Sequence, residues 1–159
     1  MRMKSIATMG SVAIIAFMLT QYPARAQSAL PLAATTIPST QLMQPEELKT
    51  MLSSTHAVQP LILQVGSRVM FDQAHIPTSE YAGPGSREDG LYLLRDRVKA
   101  LEKGRFILLY CGCCPWNHCP NVGGAYRTLS DLGFTNVKVL YIADNFGSDW
   151  VSKGYPVAH

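Results

Sequence analysis

The sequence predicts a single α/β domain with a mostly parallel central sheet and helices on both faces. Three observations predict it. Short apolar runs at residues 61–65, 106–110 and 137–142 alternate with segments of helical spacing, the pattern of a chain that returns to a parallel strand through a crossover helix. These runs are apolar almost throughout, as in strands covered on both faces. The chain left after the leader described next, roughly 130 residues, suits one domain with one core.

The leader comes first. Arg2 and Lys4 supply a basic start, the stretch from Ser11 to Leu19 is almost wholly apolar, and Pro23 precedes the small residues Ala24 and Ala26 on either side of Arg25. That is the pattern of a secretory signal over residues 1–26, cut before Gln27. Its apolar run is short for a membrane span. The expected product is exported, periplasmic in a bacterium and otherwise secreted, with no membrane attachment after signal removal. Without the leader the chain carries 11 basic and 11 acidic residues. Such a balance gives no long-range field to attract nucleic acid or an anionic membrane.

Residues 27–40, rich in Ala, Thr, Pro and Ser, read as a linker, and residues 41–159 as the domain. Pro45 suits a first helical position and Glu46 and Glu47 the first turn, where the helix dipole favours anions. Leu61, Ile62, Leu63, Gln64 and Val65 form a buried strand between Pro60 and Gly66. Residues 66–90 read as irregular, broken by His75-Ile76-Pro77 and by Gly83-Pro84-Gly85-Ser86. Leu91, Leu94, Val98 and Leu101 recur at helical spacing and Lys103-Gly104 is expected to close that helix. Phe106, Ile107, Leu108, Leu109 and Tyr110 make the strongest strand signal, running straight into Cys111. Val122, Ala125, Tyr126, Leu129 and Leu132 mark an amphipathic helix stopped by Gly133, followed by the strand at 137–142. A short helix at 149–153 ends at Gly154.

All four cysteines, Cys111, Cys113, Cys114 and Cys119, lie within nine residues. Export implies an oxidising compartment, yet a disulfide gains most from closing a long loop. The clustering therefore favours chemistry over stapling. Sites in parallel sheets form at the carboxyl ends of strands, where Cys111 falls, and the loop leads to a helix start whose free N–H groups favour a thiolate. Cys111 is the expected nucleophile. Cys114 completes a C-x-x-C pair able to resolve it, and Cys113, Cys119 and His118 are auxiliary candidates. Four cysteines allow three full pairings, which the sequence does not rank. The cysteines and His118 would also suit zinc or Cu(I) as soft or borderline ligands. One tight loop is a strained way to build a tetrahedral site, so no metal is assigned. Gly112, Trp116, Asn117 and Asn121 line the substrate loop, with Asn121 expected to cap the helix and Trp116 to cover the site or pack the loop. His75 suits a hydrogen-bonded structural role, and Arg127 faces solvent.

A strand ending in Tyr110-Cys111, an active-site loop, a helix closing on Leu132-Gly133-Phe134, the His75-Ile76-Pro77 turn, and an ending from Trp150 through Gly154-Tyr155-Pro156-Val157 together resemble the rhodanese family, over about Gln41 to Val157. The resemblance implies the rhodanese fold and a Cys111 that carries sulfane sulfur as a persulfide, with a small sulfane donor, a thiol acceptor and no organic cofactor. Two departures stand out. Gln64-Val65-Gly66 occupies the place of the family's Asp-Val-Arg, and the loop is longer than usual, with no Arg or Lys between Cys111 and Asn121. An anionic donor would meet backbone amides and His118 in place of a guanidinium. The leading expectation is a sulfurtransferase, the second a thiol–disulfide oxidoreductase using Cys111 and Cys114, the third a non-enzymatic metal- or thiol-binding module.

Overall fold

The computed structural model describes residues 37–159; the expected signal and residues 27–36 of the expected linker lie outside them. Ile37, within the stretch read as linker, is buried in the core. A short 3-10 turn, Ser39–Gln41, then leads into the first strand.

Five strands form one sheet: β1 (Leu42–Met43), β2 (Leu61–Gln64), β3 (Glu80–Tyr81), β4 (Ile107–Tyr110) and β5 (Val137–Leu140). Their order is β1-β5-β4-β2-β3, and every pairing is parallel. The expected α/β architecture is therefore present. β2 and β4 occupy the centre, and all four residues of each are buried, which is why neither shows polar alternation. Val65 donates its N–H to Tyr110 O, so the chain leaves β2 and β4 side by side.

Side chains alternate between the faces. Ile107, Leu109 and Cys111 join one buried cluster with Leu94 and Val98 of α3 (Glu88–Val98) and Val122, Ala125 and Leu129 of α4 (Asn121–Asp131). Leu108 and Tyr110 join the other, with Leu48 of α1 (Pro45–Leu52), Phe146 and Trp150. Period two alone thus sends Cys111 to the α4 side. Gly133 ends α4 as expected, at φ 83. Its N–H bonds Ser130 O and that of Phe134 bonds Leu129 O, the paired bonds of a Schellman stop.

Three expectations need correction. Residues 66–90 are not irregular throughout: they hold α2 (Arg68–Gln73), the edge strand β3 and the start of α3. No residue of α2 is buried, so it carries no apolar stripe for the sequence to reveal. α3 stops at Val98 and not at Lys103-Gly104; a tighter turn, Leu101 N to Val98 O, lets Leu101 pack against the core outside the helix. The last helix is a single π turn, Gly147–Val151, two residues before the expected segment. Trp150 anchors it, fully buried and donating Nε1–H to Pro156 O at 2.7 Å.

Candidate functional site

β4 delivers Cys111 to the carboxyl edge of the sheet, and Gly112 then reverses the chain. Gly112 has φ 74, and its carbonyl accepts the N–H of Phe146. A Cβ there would lie 2.6 Å from Phe146 Cβ, so both the backbone angle and the space call for glycine. The reversal folds Cys113 back until its Sγ is 3.1 Å from Cys111 Sγ. A 3-10 turn, Trp116–His118, brings Cys119 in from the other side. The sulfurs of Cys111, Cys113 and Cys119 all lie within 4.8 Å of one another. Cys114 stands outside this triad, touching Cys113 Sγ at 2.9 Å and His118 O at 3.7 Å. All four are free thiols. The structure therefore places Cys113, not Cys114, beside Cys111.

Asn121 is not the cap that its position suggests. Pro120 holds the N-cap position, and Asn121 is the first helical residue. Its Oδ1 accepts from Ser86 N and Ser86 Oγ at 3.1 and 2.8 Å. That leaves Nδ2 to donate to Cys111 Sγ at 3.3 Å and to Cys113 Sγ at 3.7 Å. The Gly-Pro-Gly-Ser turn thus orients a buried amide whose donor end faces sulfur. This role of Ser86 and Asn121 was not read from the sequence, because it joins residues 35 apart in the chain.

β2 supplies the opposite wall. Gln64 is buried; its Oε1 accepts Gly66 N–H and its Nε2 donates to Cys111 O at 3.4 Å. A Cβ on Gly66 would meet Cys111 Sγ at 2.7 Å. The Gln-Val-Gly departure therefore has a steric meaning: Cys111 Sγ fills the space beside a residue that has no side chain.

Charge in the cluster is unequal. Cys113 is held well below the ordinary thiol range, chiefly because Cys111 and Cys119 donate hydrogen bonds to it, with further support from Cys114 and Asn121. Cys111 is pushed up because it donates to Cys113 and then because of the neighbouring Cys119 and its burial. The depressed thiol expected at Cys111 is thus found at Cys113. Burial, then donation to Cys113, raises Cys114. The backbone amides of Val122 and Asn121 at the start of α4 favour a Cys119 thiolate, and acceptance from Cys111 favours it more. Donation to Cys113 and burial outweigh them, so Cys119 is raised overall. The helix start consequently faces Cys119 and not Cys111.

The remaining candidates fall into place around this centre. His118 is exposed, its Nδ1 pairs with Asn117 Oδ1 at 2.7 Å, and it does not join the group of close sulfurs. The N–H groups of Trp116, His118 and Cys119 are spent on Ala143 O, Pro115 O and Trp116 O, so these three amides form no cradle for a donor. Trp116 is half-buried against Tyr141 at 5.2 Å between centroids. With Cys111, Cys114, Cys119, Val122 and Ile142 it lines a small crevice of about 10 Å³. A larger cavity of about 560 Å³, bordered by Leu52, Pro60, Leu61 and Arg105, lies by the amino ends of β2 and β4, away from every cysteine. His75 stacks on Phe71 at 4.1 Å and its Nδ1 meets Phe71 O at 2.9 Å, a structural role. Arg127 is exposed.

Among solved structures, the chain is similar to a rhodanese-like domain from Anabaena, with TM-score 0.56 and 24% identity over 74% of this chain and 78% of that one. The fold is rhodanese-like. A single-domain sulfurtransferase from Saccharomyces cerevisiae shares it at TM-score 0.53 and 14% identity, covering 76% of this chain and 94% of that one. So does a Rhodopseudomonas palustris protein described as of unknown function and a possible tyrosine phosphatase, at TM-score 0.54 and 15% identity, covering 79% and 88%. No family model matches the sequence, and no curated protein matches it. Within this fold Cys111 lies just past the carboxyl end of β4.

Proposed function

We propose that the protein is a sulfurtransferase in which Cys111 attacks a sulfane sulfur donor, holds the sulfur as a persulfide and passes it to a thiol. One observation carries the reading: in a rhodanese-like domain, Cys111 Sγ sits at the carboxyl end of β4 with the Asn121 amide N–H aimed at it. Cys113 rests as the favoured thiolate and Cys111 as the protonated thiol, so the Cys111 proton passes to Cys113 along their 3.1 Å hydrogen bond as the attack proceeds. Cys111 Sγ attacks the outer sulfur of the donor as it loses that proton, a Cys111 S–S bond forms, the donor's own S–S bond breaks, and the donor leaves as an anion. An acceptor thiolate then attacks the outer persulfide sulfur, releasing the Cys111 thiolate, which recovers its proton from Cys113. Asn121 Nδ2–H stabilises negative charge on sulfur at each stage.

The loop also selects among donors. With no Arg or Lys between Cys111 and Asn121 and three of its amides spent internally, it has little grip on a dianion. That favours an organic persulfide or polysulfide over thiosulfate, and argues against a phosphate ester. The compartment in which it works, on our reading, is outside the cytoplasm; among the described residues no helix is long and apolar enough to cross a membrane.

Intact-mass measurement of the reduced protein after exposure to an organic polysulfide tests the reading. The expected result is a gain of one sulfur atom that the Cys111→Ser variant lacks; an unchanged mass in the unmodified protein overturns it. A thiol–disulfide activity is favoured by one specific contact, but between Cys111 and Cys113 in place of Cys114. Trypsin mapping of the oxidised protein would show which of the two pairs forms.

A further inference from the structure

We infer that Cys111, Cys113 and Cys119 form a three-coordinate thiolate site for a soft monovalent metal ion, Cu(I). The sulfurs of these three residues lie within 4.8 Å of one another, so one ion can touch all three after small side-chain rotations. They reach the point from three directions: a strand end, the chain reversal at Gly112, and the end of the turn before α4. Three separate backbone approaches remove the strain expected of four ligands on one tight loop. Three thiolates are a donor set that selects soft metals, Cu(I) among them.

The number of donors decides between Cu(I) and zinc. Zinc in proteins is almost always four-coordinate, from four side chains or from three and a water. Among the described residues the mutually close group holds three ligand atoms only: Cys114 Sγ touches Cys113 Sγ at 2.9 Å and His118 O at 3.7 Å without joining that group, and the His118 ring pairs with Asn117. The crevice beside the triad is small, about 10 Å³. Trp116, Val122 and Ile142 wall it, an apolar lining that suits three-coordinate Cu(I) better than a Zn(II) ion that still needs a fourth ligand. Binding forms three Cu–S bonds, sends the thiol protons to solvent and leaves the ion's oxidation state unchanged. The excess negative charge is met by Asn121 Nδ2–H at Cys111 and Cys113 and by the first amides of α4 at Cys119.

This site goes beyond the transfer reading and does not depend on it. Sulfur capture forms its bond at Cys111 with Cys113 passing the proton, whereas the metal needs Cys119 as a ligand as well, so the two activities exclude each other at Cys111 and separate in the Cys119→Ser variant. The test is an anaerobic titration of the reduced full chain with Cu(I) against a competing Cu(I) chelator, with Zn(II) as the second arm. The expected result is one Cu(I) per chain, with affinity falling about 100-fold or more in Cys113→Ser and Cys119→Ser, about 10-fold in Asn121→Ala as for an outer-shell partner, and little in Cys114→Ser. Cys113 is only half-buried, so its variant keeps the test independent of the fold. Less than one retained Cu(I) per chain, tighter holding of Zn(II), or an equal loss in Cys114→Ser would overturn the site. Persulfide formation on Cys111 in the Cys119→Ser variant reports on the transfer reading separately.

Discussion

Tyr110 and Cys111 are neighbours at the end of one strand, both buried and on opposite faces of the sheet, yet their surroundings differ in kind. The Tyr110 hydroxyl accepts the N–H of Ile76 at 3.2 Å and meets Ser79 Oγ at 3.0 Å. Burial pushes its phenol up to about 12, so it stays neutral and serves as a fixed pin for the His75–Ser79 turn. Cys111 meets two other sulfurs and one amide donor. Sulfur hydrogen bonds are weak, and one thiol of the cluster, Cys113, is favoured as the thiolate. The sheet thus separates a locked face from a reactive one at adjacent residues, and the choice is made by the period of the strand.

The largest effects come from exchanging what each face is made for. Cys111→Ser should abolish sulfur uptake completely while unfolding midpoints stay within about 1 kcal/mol, since a small buried side chain is replaced by another of similar shape. Tyr110→Phe should do the reverse. It leaves the buried Ile76 N–H and Ser79 hydroxyl unpaired, costing about 1–3 kcal/mol in urea unfolding, with sulfur uptake retained. Equal losses of stability in both variants would erase the distinction.

Gly66 sharpens the comparison from the neighbouring strand. A Cβ at that position meets Cys111 Sγ at 2.7 Å and Gln64 Nε2 at 2.9 Å, so Gly66→Ala must displace the nucleophile or its wall. Overpacking of this kind costs about 1–3 kcal/mol. Sulfur uptake should slow along with it, because Cys111 Sγ is moved off the Asn121 amide. A variant of full stability and full rate would mean that Cys111 has room to turn aside.

How far the sequence reveals this can be read from the same residues. β2 and β4 are evident because strands covered on both faces need continuous apolar runs, and Cys111 falls on the α4 side by counting two residues back to Leu109 and two more to Ile107. α4 is evident from its stripe and from Gly133. Other features leave no local trace. α2 buries nothing, and β3 is two residues of edge strand. The pairing of Cys111 with Cys113 depends on φ 74 at Gly112; C-x-x-C spacing points to Cys114 when the loop is imagined as a regular turn. Asn121 at a helix start suggests a cap, and only the distant Ser86 redirects it.

Asn121 offers a smaller effect on the reactive face. In the unmodified protein, iodoacetamide at about pH 6, well below the ordinary thiol range, should label Cys113 before the other cysteines. Asn121→Ala removes a donor that favours the Cys113 thiolate. The pH profile of labelling, followed by peptide mass mapping, should then move upward by less than about one pH unit. Movement downward, or first labelling at Cys111, would reverse the assignment of charge within the cluster.

The smallest expected effect is on stability at alkaline pH, and its sign follows from the raised thiols. Cys111 and Cys114 are held above their ordinary value of 9.0 in the folded protein. Above that value the unfolded chain releases protons that the folded chain keeps, so fewer protons are bound in the unfolded state and stability falls as pH rises. Their contribution is full below 9.0 and is lost as pH climbs from there toward the folded value. Cys113 has the opposite sense: its lowered folded value adds stability that is complete above 9.0 and declines as pH falls toward the folded value. The two senses together place the optimum of the reduced protein near the ordinary thiol range, with a decline on either side. Urea unfolding of the reduced protein across that range checks it. Converting Cys113 to Ser should flatten the acid side and weaken the decline above 9.0 without abolishing it, because donation to Cys113 is the largest cause of the raised Cys111 while Cys119 and burial remain.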